Sequence, residues 1–277
     1  DPMILERTIA PVFAANCYVL APGPLRPALV VDPGAGAARG ALALLRSNRL
    51  TLGAVLLTHG HADHVWDTVA LIESARAEGL LADESGADGA APVPVYIPEP
   101  DRYRLRDPDA TTGIRSGGMS FADMAATPWR EPDGIRVVPA EAFTDAVELV
   151  SGIPLRALPA PGHSEGSTLF FLNARLRATD LLYEAEVVED DPSVADEEHD
   201  YLVALDGDVI FKGSVGRTDL PGGDQVQMWA TLRFLSSVVN PETVLLPGHG
   251  AVTTMAHEHQ ANPYLAEAEV RGGDRHA

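Results

Sequence analysis

The chain of 277 residues carries a single cysteine, Cys17. No disulfide can therefore close within it, a usage that suits a reducing compartment, and we expect a cytoplasmic protein. Cys17 itself, set between Asn16 and Tyr18, reads as a small buried hydrophobe, with a redox role as the lesser alternative. Cations are scarce as well. Against 40 Asp and Glu stand only 20 Lys and Arg, a formal net charge of -20. Nucleic-acid binding needs clustered basic side chains to neutralise phosphates, so no nucleic-acid partner is expected, and the ordinary consequence of the charge is solubility. No apolar run approaches the roughly 20 residues of a membrane helix. The first residues do not place a basic segment before an apolar one, so neither a membrane partner nor a leader is expected. Asp1-Pro2 ahead of Met3 reads as an expression remnant. What the chain has in quantity is hydrophobic content, 45%, enough for one large α/β domain, which we expect to run over 3–277.

The densest chemical signal is Thr58-His59-Gly60-His61-Ala62-Asp63-His64. It follows the short apolar run Ala54-Val55-Leu56-Leu57, which reads as a buried strand, and precedes Val65, Val69, Ile72 and Ala75 at helical spacing. Three imidazoles and a carboxylate thus sit on a strand-to-helix turn, where side chains converge at one rim of a sheet. A lone histidine in a loop is usually an unremarkable surface or core residue. Four donors within six positions point instead to a metal site, and neutral imidazoles with a carboxylate suit an open, hydrolytic zinc centre better than a closed structural one.

Around this motif, Met3–Val12, Asn16–Ala21 and Ala28–Val31 read as three strands, and Ala38–Arg46 has helical character. Asp32, in the turn after the third strand, is expected at the same rim, either steadying a ligating histidine or serving as a plain turn residue. An Ala, Gly and Asp-rich loop is expected over 81–92 and a strand over Val93–Ile97. Residues 101–132 read as a long irregular excursion, either a substrate lid or a peripheral cover using Met119, Phe121, Met124 and Trp129. Val147–Val150 and Ile153–Leu158 form a hairpin around Ser151-Gly152, and Ser167–Leu172 is a further strand. Residues 184–200 are dense in acid and read as a solvated inserted loop. Gln225–Val238 is a helix by periodicity, and Thr243–Leu246 is a strand. His199, His257, His259 and His276 read as surface residues.

The motif resembles the H-x-H-x-D-H signature of the metallo-β-lactamase fold. The resemblance implies a four-layer αββα sandwich, and three further ligands downstream. Pro161-Gly162-His163-Ser164 is similar to the family's third-histidine motif, Asp208 in Leu205-Asp206-Gly207-Asp208 fits the bridging carboxylate, with Asp206 and Asp180 as competitors, and Pro247-Gly248-His249-Gly250 supplies the last histidine. By that resemblance two divalent ions bind, zinc in the first instance with iron or manganese as alternatives. One would be held by His59, His61 and His163, the other by Asp63, His64 and His249, with Asp208 bridging. The segment Gly213–Gly223 resembles the glyoxalase II-like branch, and its Arg217 and Asp219 are expected to pair with each other or with a ligand and so orient the site.

The resemblance implies a metallo-hydrolase in which a metal-bridging hydroxide attacks a thioester, with Asp63 orienting the hydroxide or taking its proton. A small acyl-thiol is the expected partner. Glyoxalase II carries a C-terminal helical extension that helps to bind glutathione, and only a short tail follows His249, so glutathione recognition is not carried over. The runner-up is a persulfide dioxygenase, with one iron held by His59, His163 and Asp208. Lactonase or β-lactamase activity is a further hydrolytic alternative, and a non-enzymatic binding module would be expected to have lost ligands.

Overall fold

The computed structural model describes residues 2–82, 91–189 and 196–273. Two six-stranded sheets carry the fold. The first, in spatial order, holds β1 (Ile4–Ile9), β2 (Asn16–Ala21), β3 (Pro27–Val31), β4 (Thr51–Leu56), β5 (Val95–Ile97) and β6 (Ile135–Val137). Its first three strands run antiparallel and its last four parallel. The second sheet holds β7 (Val147–Glu148), β8 (Pro154–Pro159), β9 (Thr168–Arg177), β10 (Glu198–Gly207), β13 (Val244–Pro247) and β14 (Thr253–Thr254). A small hairpin, β11 (Ile210–Phe211) with β12 (Ser214–Val215), stands apart.

The sequence dictates this layering through strands that are apolar on both faces, as sheets covered on both sides require. In β2 every residue is buried. Tyr18 and Leu20 point into a core between the sheets, where they join Leu29, Leu56, Leu155, Phe170, Leu172, Leu205 and Leu246. Cys17 and Val19 point the other way, onto α1 (Ala38–Ser47) and α3 (Thr68–Ala77), whose Ala41, Leu45, Leu71 and Ala75 close a second core. The outer face of the second sheet packs Leu169, Ala204 and Leu245 against Met228, Leu232 and Leu235 of α7 (Gln225–Val238) and Leu265 and Ala268 of α9 (Pro263–Gly273). The result is helix, sheet, sheet, helix, the expected αββα sandwich. Among the described residues no helix is long and apolar enough to cross a membrane.

Several expectations need correction. Residues 101–132 are not irregular: a 3-10 helix over Glu99–Arg106, α4 (Pro108–Thr112) and α5 (Phe121–Ala125) order most of the stretch. Phe121 is buried against Trp66, which also meets Trp129, so these aromatics cover the scaffold while Met119 stays exposed. The polar composition concealed this because short helices here are fixed by side-chain caps rather than by periodicity; Asp107 caps α4, and Ser120 with Asp123 forms a capping box on α5. The acidic stretch 184–200 is also shorter as a loop than expected. Glu184 ends α6 (Asp180–Glu184), where it pairs with Arg7 at 2.8 Å, and residues 198–200 begin β10 opposite Arg175–Arg177 of β9. Cross-strand arginines offset the acids that composition alone assigned to solvent, as in the Arg177–Glu198 pair. The middle of that stretch, most of the 81–92 loop and His276 lie outside the described residues.

Candidate metal centre

Seven candidate ligands converge because each follows the C-terminal end of a strand at one rim of the sandwich. His59, His61, Asp63 and His64 follow β4, the last two lying on α2 (Ala62–Val65); His163 follows β8, Asp208 follows β10 and His249 follows β13. Gly207, at φ +56, turns the chain sharply out of β10 and aims Asp208 inward. Gly248 leaves room for that carboxylate, since a Cβ there would overlap Asp208 Oδ1 and crowd His64. The two sheets are tied at this rim by Asn16 and Tyr18, which donate to the Pro247 carbonyl at 2.9 and 2.7 Å.

Two groups of donors form, each with its atoms within 4.8 Å of one another: His59, His61 and His163, and Asp63, His64, Asp208 and His249. His61 Nδ1 and His163 Nε2 are 2.9 Å apart. In the second group His249 Nε2 lies 3.0 Å from Asp63 Oδ2 and 3.2 Å from His64 Nε2, and His64 Nε2 lies 3.1 Å from Asp208 Oδ1. Asp208 Oδ2 faces both groups, 3.4 Å from His163 Nε2 and 3.4 Å from His249 Nε2. The competing Asp206 instead accepts from the Ile210 N–H, away from the cluster.

The opposite nitrogens of four rings are occupied, which fixes how the rings are turned. His64 Nδ1 donates to Asp32 Oδ2 at 3.0 Å, His163 Nδ1 to the Arg217 carbonyl at 2.7 Å and His249 Nδ1 to the Phe13 carbonyl at 3.0 Å. His59 Nδ1 meets Thr58 Oγ1 at 3.0 Å, and that hydroxyl donates to Asp32 Oδ2 at 2.6 Å. Asp32 thus touches both groups through Thr58 and His64. Asp32, His59 and His64 also lie close enough to suggest a third donor set, but the Asp32 oxygens are already engaged by Thr58 and His64. Arg217 and Asp219 pair with each other at 2.6 Å on the exposed surface. Of the two expected pairings the side chains make the one with each other, and the main-chain carbonyl of Arg217 is what accepts from His163 Nδ1, a role no side-chain motif can announce. Thr58 and the carbonyls of Phe13 and Arg217 were not foreseen from the sequence. Only Thr58, adjoining the motif, left a signal.

Electrostatics divide the cluster. Burial, helped by neighbouring imidazoles, holds His59 and His61 well below the usual histidine range. His64 and His249 are driven the other way: burial opposes their charge, but the facing Asp208 and Asp63 outweigh it, lifting His64 well above its ordinary value and His249 to about 10. Burial likewise disfavours charge on Asp208 and Asp63, yet His64 and His249 draw both below the usual carboxylate range. Six of the seven side chains are buried, and His249, at 24% exposed, marks the open side. His59 Nε2 is buried with no hydrogen-bond partner. Such a group costs free energy unless something fills the space it faces. Three imidazole nitrogens beside two imidazoles and two ionised carboxylates fit divalent metal ions.

Comparison with known proteins agrees with this geometry. An uncharacterized protein of Mycobacterium tuberculosis is 34% identical over 263 residues, covering 95% of this chain and 98% of its own. Hydroxyacylglutathione hydrolase GloC of Haemophilus influenzae is 26% identical over 263 residues, covering 95% and 98%. Among solved structures, the BLEG-1 B3 metallo-beta-lactamase matches with a TM-score of 0.65 at 24% identity, covering 95% of this chain and 99% of its own. TTHA1623, solved in a di-iron-bound form, matches with a TM-score of 0.61 at 25% identity, covering 94% and 99%. The family model described as the metallo-beta-lactamase superfamily matches residues 10–249, from the residue after β1 to the last histidine of the cluster, and the chain belongs to that superfamily.

Proposed function

We propose that this protein is a dinuclear metallo-hydrolase that cleaves a small acyl-thiol ester. The observation that carries the reading is the placement of Asp208 Oδ2, 3.4 Å from an imidazole of each donor group, as one carboxylate shared by two ions requires. When bound, two divalent ions, zinc in the first instance, supply Lewis acidity and make hydroxide available at neutral pH. His59, His61 and His163 would hold one ion, and Asp63, His64 and His249 would hold the other. Asp63, whose Oδ2 lies 3.0 Å from His249 Nε2 in the same group, would orient the attacking water or take its proton. The substrate enters beside His249, the one ligand open to solvent.

The choice of a thioester rests on the leaving group. Asp63 and Asp208, the two carboxyls in the donor groups, would both be engaged as ligands, which leaves the cluster no carboxylic acid to protonate a leaving group. An amine or alkoxide departs poorly without one, whereas a thiol ionises near pH ~8.5 and departs as thiolate. The similarity to GloC, a hydroxyacylglutathione hydrolase by name, supports the same choice, and this chain spans 98% of GloC. A match of that extent weakens the argument that a short tail after His249 disfavours glutathione thioesters. Under the competing mononuclear reading, His61, Asp63, His64 and His249 would all converge without a metal to hold.

Elemental analysis of protein purified without added metal, with thioester hydrolysis assayed on the same sample, tests the proposal. Near two ions per chain, with turnover lost in His61→Ala, is the expected result. One iron per chain, oxygen consumption on adding a persulfide and no thioester turnover would overturn it.

A further inference from the structure

Asp101 lies in the 3-10 helix that follows β5 and is fully buried. Its carboxylate is saturated by donors from two separate ligand-bearing loops. Oδ2 accepts from the Gly60 N–H at 2.8 Å and from the Ser164 hydroxyl at 2.8 Å, and Oδ1 accepts from the Gly166 N–H at 2.7 Å. Gly60 stands between His59 and His61, and Ser164 directly follows His163. One side chain therefore grips the loop after β4 of the first sheet and the loop after β8 of the second.

The close approach depends on glycine at both contacts. A Cβ on Gly166 would come within 2.7 Å of Asp101 Oδ1, and one on Gly60 would come within 2.9 Å of the Arg104 side chain, one helical turn beyond Asp101. Arg104, also fully buried, extends the grip by donating to the Pro221 carbonyl at 2.9 Å, in the same loop region as the Arg217 carbonyl that holds His163. None of these contacts reaches the other donor group, whose His64 is held by Asp32 and whose His249 is held by the Phe13 carbonyl.

We propose that Asp101 is a positioning residue that sets the separation of His61 and His163, and so tunes the three-histidine group independently of the carboxylate-containing group. The inference rests on the reading of both groups as metal sites. The charge of the buried Asp101 carboxylate strengthens these hydrogen bonds, and it is paired with the buried Arg104, whose Nε lies 3.5 Å from Oδ1. In Asp101→Asn the amide nitrogen would face one of those donors, breaking the clamp while preserving the side chain's shape.

The test is titration of metal-free protein with cobalt(II), followed by its visible absorption and by competition with a chromophoric chelator. His61→Ala identifies the absorption that belongs to the three-histidine group. Unmutated protein is expected to take up two equivalents. Asp101→Asn should keep one at unmutated affinity and lose about 10–100-fold for the equivalent that His61→Ala also loses, the range typical of removing a partner that orients a ligand. Two equivalents bound at unmutated affinity by Asp101→Asn would overturn the proposal, as would equal weakening of both. Failure of the unmutated protein to bind two equivalents would instead overturn the metal-site reading, and this inference with it. If Asp101→Asn does not fold, Ser164→Ala decides: a smaller loss confined to the same equivalent supports the clamp, and unchanged binding of both refutes it.

Discussion

The seven donors differ in protonation as well as in position, and this gives the two groups opposite pH behaviour. In the metal-free protein at pH 7, His59 and His61 are held neutral by burial, while His64 and His249 are held protonated by Asp63 and Asp208. An imidazole must be neutral to bind a metal ion, so occupation of the second group expels protons. Isothermal calorimetry in buffers of different ionisation enthalpy should show proton release for one equivalent of zinc at pH 7 and little for the other. The affinity of the proton-releasing equivalent should rise with pH towards about 10, where His249 titrates in the metal-free protein. Equal proton release for both would contradict the division. Asp32 illustrates a different residue-level constraint. It sits at φ +52, a conformation that aspartate and asparagine tolerate better than most residues, and from there reaches Thr58 and His64 together.

Between the strands of the first sheet, the segment 99–125 acts as a bracket over the site. Its 3-10 helix supplies Asp101 and Arg104, and α5 anchors the far end by burying Phe121 against Trp66, two residues beyond the last ligand of the His59–His64 motif. Thr112 of α4 adds a contact, accepting from the Ala62 N–H at 2.9 Å at the start of α2. Truncation of Phe121 to Ala removes the anchor and leaves a cavity. A loss of about 3–5 kcal/mol in unfolding free energy is expected, the usual cost of deleting a buried aromatic, measured by urea denaturation of the metal-loaded protein. A loss below about 1 kcal/mol would mean that the segment is held elsewhere, because surface substitutions fall in that range.

For the molecule as a whole, the rim is where loops of both sheets meet, so bound ions cross-link the sandwich. Ligands that bind only the folded state stabilise it by mass action, about 4 kcal/mol at a thousandfold excess over Kd. Chelation should therefore lower Tm, and the pH dependence of the remaining stability follows from the shifts. His64 and His249, raised in the folded state, contribute stability fully below their unfolded value of about 6.5, and lose it as pH rises through their folded values. Asp63 and Asp208, lowered in the folded state, contribute above their unfolded value of about 3.9 and lose it as pH falls through their folded values. The cluster thus supports the metal-free fold best between about pH 4 and 6.5. Scanning calorimetry should find the Tm gap between zinc-loaded and chelated protein widening from pH 6 to pH 9. A gap that narrows over that range would refute the assignment of charge.

Local sequence alone determined the strand-to-helix motif His59–His64, the Pro-Gly-His turns at His163 and His249, and the short apolar strands beside them, whereas the sandwich was implied by resemblance. Each of these is written in neighbouring residues, where spacing and backbone preference act directly. Resemblance then selected Asp208 over Asp206, which the two positions by themselves do not do: both are buried, and the left-handed turn at Gly207 sends one carboxylate into the cluster and the other towards Ile210. What only the tertiary structure decided was how the ligands are held. The Asp32–Thr58 contacts span 26 residues, Asp101 grips loops 41 and 63 residues away, and the Arg217 and Phe13 carbonyls carry no side-chain identity at all. Orientation of a ligand depends on which backbone passes its far nitrogen, and that is settled when two sheets pack, not by the residues beside the ligand.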